Sequence, residues 1–408
     1  MRILIATYWY LPHVGGVNTY VNVLRKELMA AGHQVDVLAH HPDMQKYYIV
    51  HSGRYLTKAK IKQVVYDNVL KYFETSQPYV DDWIRWREIE RYSFELAAIS
   101  FNLKQYDLIH TQDIISTRAL SRVKPPNVPL VATIHGLLAT EHMLSGDVTS
   151  KQSLPWKYVC KEEYYGATSA TKTMVPTSWL KRKLSEPDYG VPPKLLHTVP
   201  YGMDIQQFLR KYNAPPSSYV PMVESGKTVL ICPARLVPVK GHRYLLEAIY
   251  RLKQKRNDFV CWLIGNGPLY SEMVSLASSL GITDVVHFFG DRDDVPQLLR
   301  QSDILVLPSV QDNHPFSIME AQVAGKLVVA SNAGGIPEMV SHKKTGFIFA
   351  SSNSDDLASK LNYVLSHPTL AKQVAVQGHR WGLHRWSLST LLKNTMGIYL
   401  SALEKVRK

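Results

Sequence analysis

The stretch from 304 to 338, ILVLPSVQDNHPFSIMEAQVAGKLVVASNAGGIPE, constrains this chain more than any other. An apolar run over 304–307 stops at Pro308, a polar loop follows, and apolar periodicity begins at Phe316 or Ser317, which reads as strand, loop, helix. The helix should end near Gly325. A second buried strand is expected over 327–330, and Gly334-Gly335 opens a turn expected to lead into another helix. Two helix N-termini then lie at the carboxyl ends of neighbouring strands, with unpaired N–H groups and positive dipole ends aimed at one crevice. Such a crevice suits an anion, above all a phosphate.

Two carboxylates fall in this anion-friendly place, Asp312 in the loop and Glu320 one turn into the helix. They do not hold phosphate, but they accept hydrogen bonds from hydroxyls. A ligand with both phosphates and hydroxyls is a nucleotide sugar. Two acids eight positions apart are common by chance, and taken alone they describe a surface loop and a solvated helix Glu. Pro308-Ser309, Asn313-His314-Pro315, Glu320-Ala321 and the Gly334-Gly335-Ile336-Pro337-Glu338 turn around them point instead to a site.

The rest of the chain repeats the alternation of buried strand, turn and helix. It begins with a strand over 2–8, a loop over 9–16 closing on Gly15-Gly16, a helical face of Val17, Val21, Leu24 and Leu28, and a strand over 35–38. Strands resume at 106–110 and 129–134, the first ending on His110 and the second running into His135. His110 reads as a packing residue, whereas His135 lies at a strand's carboxyl end, where ligands collect in open α/β sheets. Thr177 is placed to cap a helix over 179–184. A fresh buried strand over 228–233 leads to Arg235 and Lys240, a cation pair beside a strand end that suits a diphosphate. Gly265 and Gly267 form only a fragment of a dinucleotide fingerprint. Asp291-Arg292-Asp293 formally spells a metal-binding Asp-x-Asp, but Asp293 or Asp294 is better read as the cap of a helix over 295–299. No metal is expected.

With 408 residues, 45% of them hydrophobic, the chain is long enough for two full cores. No apolar run approaches a membrane span, and the opening six residues are too short for a secretory signal, so a cytoplasmic protein is expected. Cys160, Cys232 and Cys261 have neither metal nor redox spacing and read as small core residues. The net charge of +13 asks for an acidic neighbour. Between 41 and 106, Lys58, Lys60, Lys62 and Lys71 interleave with Tyr55, Val64, Tyr66, Tyr72 and Phe73. That mixture fits either a half-buried helix with a basic face or a segment on an anionic membrane surface. Nucleic acid is not expected, since it has the charge but no recognition motif behind it.

The 304–338 stretch resembles the signature of the retaining family-four glycosyltransferases, PSxxENxPxxxxEAxAxGxPVVAxxxGGxPE, with Asp312 in place of that pattern's first Glu. The resemblance implies an α/β protein of GT-B architecture: two Rossmann-like doubly wound domains facing a deep interdomain cleft, with a C-terminal helix crossing back. The domains would be an acceptor-binding domain over 1–202, a nucleotide-sugar-binding domain over 203–380 and the helix over 381–408. The implied reaction moves a sugar, with retention, from a nucleotide diphosphate sugar, a UDP-sugar first, to a hydroxyl acceptor in cell-surface glycan or glycolipid synthesis. No cofactor is implied.

Among the catalytic residues that follow from the resemblance, Arg235 and Lys240 neutralise the leaving diphosphate, His135 faces the donor sugar and Asp312 binds a sugar hydroxyl. Glu320 takes the ribose hydroxyls. The amides of Phe316, Ser317 and Ile318, the Gly15-Gly16 turn, Gly265 and Arg292 complete the donor site, Arg292 beside the nucleobase. A lipid-linked acceptor and a peripheral position on the inner face of the membrane fit the basic segment. The rivals are a non-catalytic nucleotide-sugar sensor and a GT-B-fold epimerase.

Overall fold

The computed structural model describes residues 1–13, 15–215, 220 and 223–407. The Pro- and Ser-rich loop read over 213–226 falls in part on 216–219 and 221–222, outside the described residues. The chain divides into two compact units, one of residues 1–201 with the stretch from 389 onward, the other of residues 202–388.

Among its described residues the first unit holds an eight-stranded sheet. The strands are β1 (Arg2–Tyr10), β2 (Gln34–His40), β3 (Lys46–Ile49), β4 (Tyr55–Thr57), β5 (Leu108–Thr111), β6 (Leu130–Thr133), β7 (Lys172–Val175) and β8 (Leu196–Thr198), in the order β4-β3-β2-β1-β5-β6-β7-β8. All pairings are parallel except β2 with β3 and β3 with β4. Every residue of β5 and β6 is buried, as expected for parallel strands covered on both faces. The order reverses between β1 and β5, so a ligand crevice is expected beyond their carboxyl ends.

The irregular segment 41–106 turns out to be the antiparallel β3–β4 hairpin and two helices, Lys58–Ser76 and Asp82–Ile99. Its basic residues are only in part a surface. Lys58 is buried and bonds Glu90 at 2.6 Å, and Lys62 reaches the same carboxylate at 2.9 Å. The Leu388–Arg407 helix returns to this unit, burying Leu391, Thr395, Tyr399 and Ala402. His110 is the buried, satisfied histidine expected: its Nδ1 lies 2.7 Å from Tyr399 Oη and its Nε2 2.7 Å from Thr133 Oγ1.

The second unit holds β9 (Thr228–Pro233), β10 (Phe259–Ile264), β11 (Val286–Phe288), β12 (Ile304–Leu307), β13 (Leu327–Ser331) and β14 (Phe347–Phe349). Among the described residues these make a six-stranded sheet, β11-β10-β9-β12-β13-β14, parallel throughout. Its core gathers Leu230, Leu245, Ile249, Phe259, Leu263, Val306, Val329 and Leu361. Each such side chain removed from water contributes about 1.5–3 kcal/mol. The switch point lies between β9 and β12, the strands that lead to Arg235 and to Asp312.

The Phe316–Val323 helix is held from behind by the Pro368–Arg385 helix and the residue that follows it. Trp386 is buried and donates from Nε1 to Gln322 Oε1 at 2.8 Å, while Gln322 Nε2 donates to Met339 O at 2.9 Å. Trp381 and His314 meet the Trp386 ring edge-on, with centroids 5.0 and 5.1 Å away. The tryptophans are thus packing groups, and Trp386 belongs to the second unit. Among the described residues no helix is long and apolar enough to cross a membrane, and the three cysteines are buried and unpaired.

Candidate functional site

In the second unit the loops after β9 and β12 are tied together by backbone bonds. Val310 N and Gln311 N both donate to Val239 O, at 2.8 and 3.2 Å. Gly241, at φ +66°, lets this contact form, since a Cβ there would come within 2.2 Å of Pro308 O. The ties bring Lys240 to Asp312, Nζ to Oδ2 at 2.5 Å, with the two side chains 20% and 11% exposed. Ser309 Oγ donates to the same Oδ2 at 3.0 Å, and Ser331 Oγ fixes Ser309 by donating to its carbonyl at 2.6 Å. At aspartate length, one carboxylate therefore serves a lysine and a serine inside its own unit.

The Gly334-Gly335 turn opens no second helix. Only a three-residue 3-10 turn, Ile336–Glu338, follows. The glycines do a different job: Gly335 N donates to Asp312 O at 3.0 Å, and Gly334, at φ +56°, packs so closely that a Cβ would collide with that carbonyl. Two helices start at this switch point, His242–Lys253 after β9 and Phe316–Val323 after β12, the second with no side-chain cap at Pro315, and neither has an acid in its first turn. Phe316, Ser317 and Ile318 form the first turn of the second.

Arg235 is exposed at the end of β9 and pairs with no carboxylate among the described residues. Glu320, half-buried on the 316–323 helix, makes no side-chain hydrogen bond among the described residues. Burial pushes its carboxyl up to about 7, against the pull of Lys211. Gly265 and Gly267 have a steric purpose, because a Cβ on either would strike the carbonyls of Ala234 and Leu236. They let the loop after β10 lie on the loop that carries Arg235. Arg292 spends its fork on Asp294, with Nε and Nη2 each donating at 2.7 Å. Asp294 takes the cap position of the Val295–Arg300 helix, as expected, yet its carboxylate accepts from Arg292 and makes no cap bond.

In the first unit, Thr7 Oγ1 and Tyr8 N donate to Asp113 Oδ2 at 3.0 and 2.7 Å, and Ser116 N donates to Oδ1 at 2.7 Å, so Asp113 staples β1 to the helix after β5. Gly15 and Gly16 begin the Gly16–Ala30 helix, with Gly15 at its cap. His135 contacts Gln112 Oε1 through Nε2 at 3.2 Å and Tyr201 Oη through Nδ1, with the Tyr20 ring edge-on at 5.1 Å. Burial depresses it to about 3, so it is a neutral imidazole at any ordinary pH. Gln112 and Asp113 escaped the sequence reading; their position just past a buried strand was the signal available.

Two open sheets, one parallel throughout and one parallel but for its β3–β4 edge, each with polar side chains gathered at its switch point, are the architecture of the GT-B glycosyltransferases. Residues 14–207 match Glycosyltransferase Family 4 and residues 221–381 match Glycosyl transferases group 1. The chain belongs to these group 1/family 4 glycosyltransferases.

It is 24% identical to the MMP alpha-(1->4)-mannosyltransferase of Mycolicibacterium hassiacum, over 100% of this chain and 99% of that protein. Its fold is similar to that of sucrose-phosphate synthase from Thermosynechococcus elongatus (TM-score 0.73, 18% identity, 99% of each chain covered). It is also similar to that of Anabaena HepE in complex with UDP (TM-score 0.67, 20% identity, 98% of this chain and 100% of that one).

Proposed function

We propose that this glycosyltransferase moves a hexosyl unit, with retention, from a nucleoside diphosphate sugar to a hydroxyl acceptor. The observation that carries the donor is Arg235, exposed at the end of β9 with no carboxylate partner among the described residues. The neighbouring strand β12 leads into the acid-free first turn of the Phe316–Val323 helix, and a cation and a helix start at adjacent strand ends suit a diphosphate. Glu320, with no internal partner, is the group for the ribose hydroxyls. Lys240 and Asp312 act as a unit, the lysine toward the leaving phosphate and the carboxylate toward a sugar hydroxyl.

In the step itself the bond from the anomeric carbon to the diphosphate oxygen breaks and a bond from that carbon to the acceptor oxygen forms on the same face. The acceptor proton passes to the leaving phosphate. Negative charge grows on the diphosphate, so Arg235 and the helix amides stabilise the transition state more than the ground state. The carboxylates at the second unit's switch point support this route over a covalent one, since Asp312 is held by Lys240 and Ser309. Mannose leads as the transferred sugar because a relative matched over its full length is a mannosyltransferase. UDP and GDP are both to be tried as the nucleotide.

The test is a panel of UDP-, GDP- and ADP-sugars, read by release of nucleoside diphosphate, with and without polyprenyl or glycolipid acceptors and with a metal chelator. Release from one donor that survives the chelator and is lost in Arg235→Ala supports the reading. Tight donor binding with no release under any acceptor makes the protein a nucleotide-sugar sensor instead.

A further inference from the structure

A cavity of about 270 Å³ lies in the first unit, between the Gly16–Ala30 helix, the carboxyl half of β2 and the β3 edge of the hairpin. Ligand pockets start at about 300 Å³, so any occupant is small. Leu11, Pro12, Val37 and Val50 make its apolar wall. The wall is fixed in place: Leu11 N donates to His40 O at 3.0 Å, and Tyr48 Oη donates to Leu11 O at 2.6 Å.

The polar lining is one-sided in charge. Arg25 and Asn22 reach the cavity from one face of the helix, and His51 stands at its edge with its backbone at φ +61°. Among the described residues no carboxylate lines it. The guanidinium of Arg25 has no carboxylate partner among the described residues, and its Nε is sealed from solvent with no hydrogen-bond acceptor there. A buried N–H on a permanent cation asks for an anionic oxygen. Apolar wall on one side and an unanswered guanidinium on the other describe a small organic anion.

We infer that this cavity is a binding site for a small molecule carrying a phosphomonoester or carboxylate, whose oxyanion meets Arg25 and whose carbon body lies along Leu11, Val37 and Val50. Its source is either the anionic group of the acceptor or a free metabolite. The binding itself stands apart from the transferase reading; only an acceptor's role would rest on it.

Glycerol 3-phosphate, with inorganic phosphate and glycerol as companions, is titrated into the full chain by calorimetry. Saturable binding of glycerol 3-phosphate, none of glycerol, a loss of at least about tenfold in affinity in Arg25→Gln and partial recovery in Arg25→Lys are expected. Val50→Phe, which fills the cavity and leaves the charge, should abolish binding in the same way. Phosphate-bearing alcohols glycosylated with a KM raised in Arg25→Gln identify the acceptor as the source. Binding without glycosylation identifies a free effector. Failure to bind, binding indifferent to both Arg25→Gln and Val50→Phe, or displacement of the anion by nucleoside diphosphate overturns the site.

Discussion

Lys240 Nζ and Asp312 Oδ2 lie 2.5 Å apart across 72 residues of sequence, joining the loops that follow β9 and β12. Each residue was expected to serve a different part of the donor, and the structure makes them one unit. Removing either leaves its partly buried partner uncompensated. Lys240→Ala and Asp312→Ala are each expected to lower kcat/KM by roughly 10²-fold, and the double variant by about 10²–10³ rather than by the product. Steady-state kinetics on the four proteins of the cycle checks this, and full additivity would sink the idea of a unit.

Arg235 presents the opposite case, a cation on the surface with no internal partner. Arg235→Ala should lower turnover by about 10²–10³-fold and leave the free energy of unfolding in urea, and with it the midpoint, unchanged to within about 0.5 kcal/mol. Wild-type turnover in this variant contradicts the role given to Arg235. A lowered midpoint contradicts its structural independence.

Gly334 holds the Asp312 loop by having no side chain. Gly334→Ala puts a methyl against Asp312 O at a positive φ, so a loss of about 1–3 kcal/mol of stability is expected, together with a fall in activity. Thermal or urea unfolding beside the release assay tests both. Unchanged stability would mean that the loop moves aside freely.

Glu163 is fully buried on the Leu154–Thr168 helix, accepts from Ala139 N at 3.2 Å and has no partner for its Oε2 among the described residues. Burial raises its carboxyl from the ordinary 4.5 to about 8. A raised acid holds its proton in the folded state where the unfolded chain has lost it, so stability should fall as pH rises from about 4.5 to 8. Glu320, pushed up to about 7, adds to the same slope. Urea midpoints from pH 5 to 8.5 should decline for the wild type, decline less for Glu163→Gln, and put that variant above the wild type at the alkaline end. Parallel profiles would show that Glu163 ionises without cost.

Strands that the sheets bury on both faces were legible as continuous apolar runs, and β9 begins and ends where its residues say it should. The Thr177 cap was legible too, its Oγ1 accepting from Leu180 N at 3.2 Å, because a cap is a local event. The β3–β4 hairpin was not. Its strands are four and three residues long, and Tyr55 and Lys46 on them face water or its edge, so no apolar run announced them. The helix expected after Gly334 shrank to one turn because both glycines are committed to Asp312. The pairing of Arg292 with Asp294, two positions on, was not foreseen either, since that acid was read as a helix cap. The site residues were chosen through the family pattern, and no pattern within the sequence shows which of them pair through space.

The bond between His110 and Tyr399 spans 289 positions and closes inside the first unit. During synthesis that unit emerges first, yet β5 waits for its last buried partner until the whole second unit has been made. The order of birth and the order of completion are therefore opposite: the second unit, whose residues form one unbroken segment, is free to close before the first is finished.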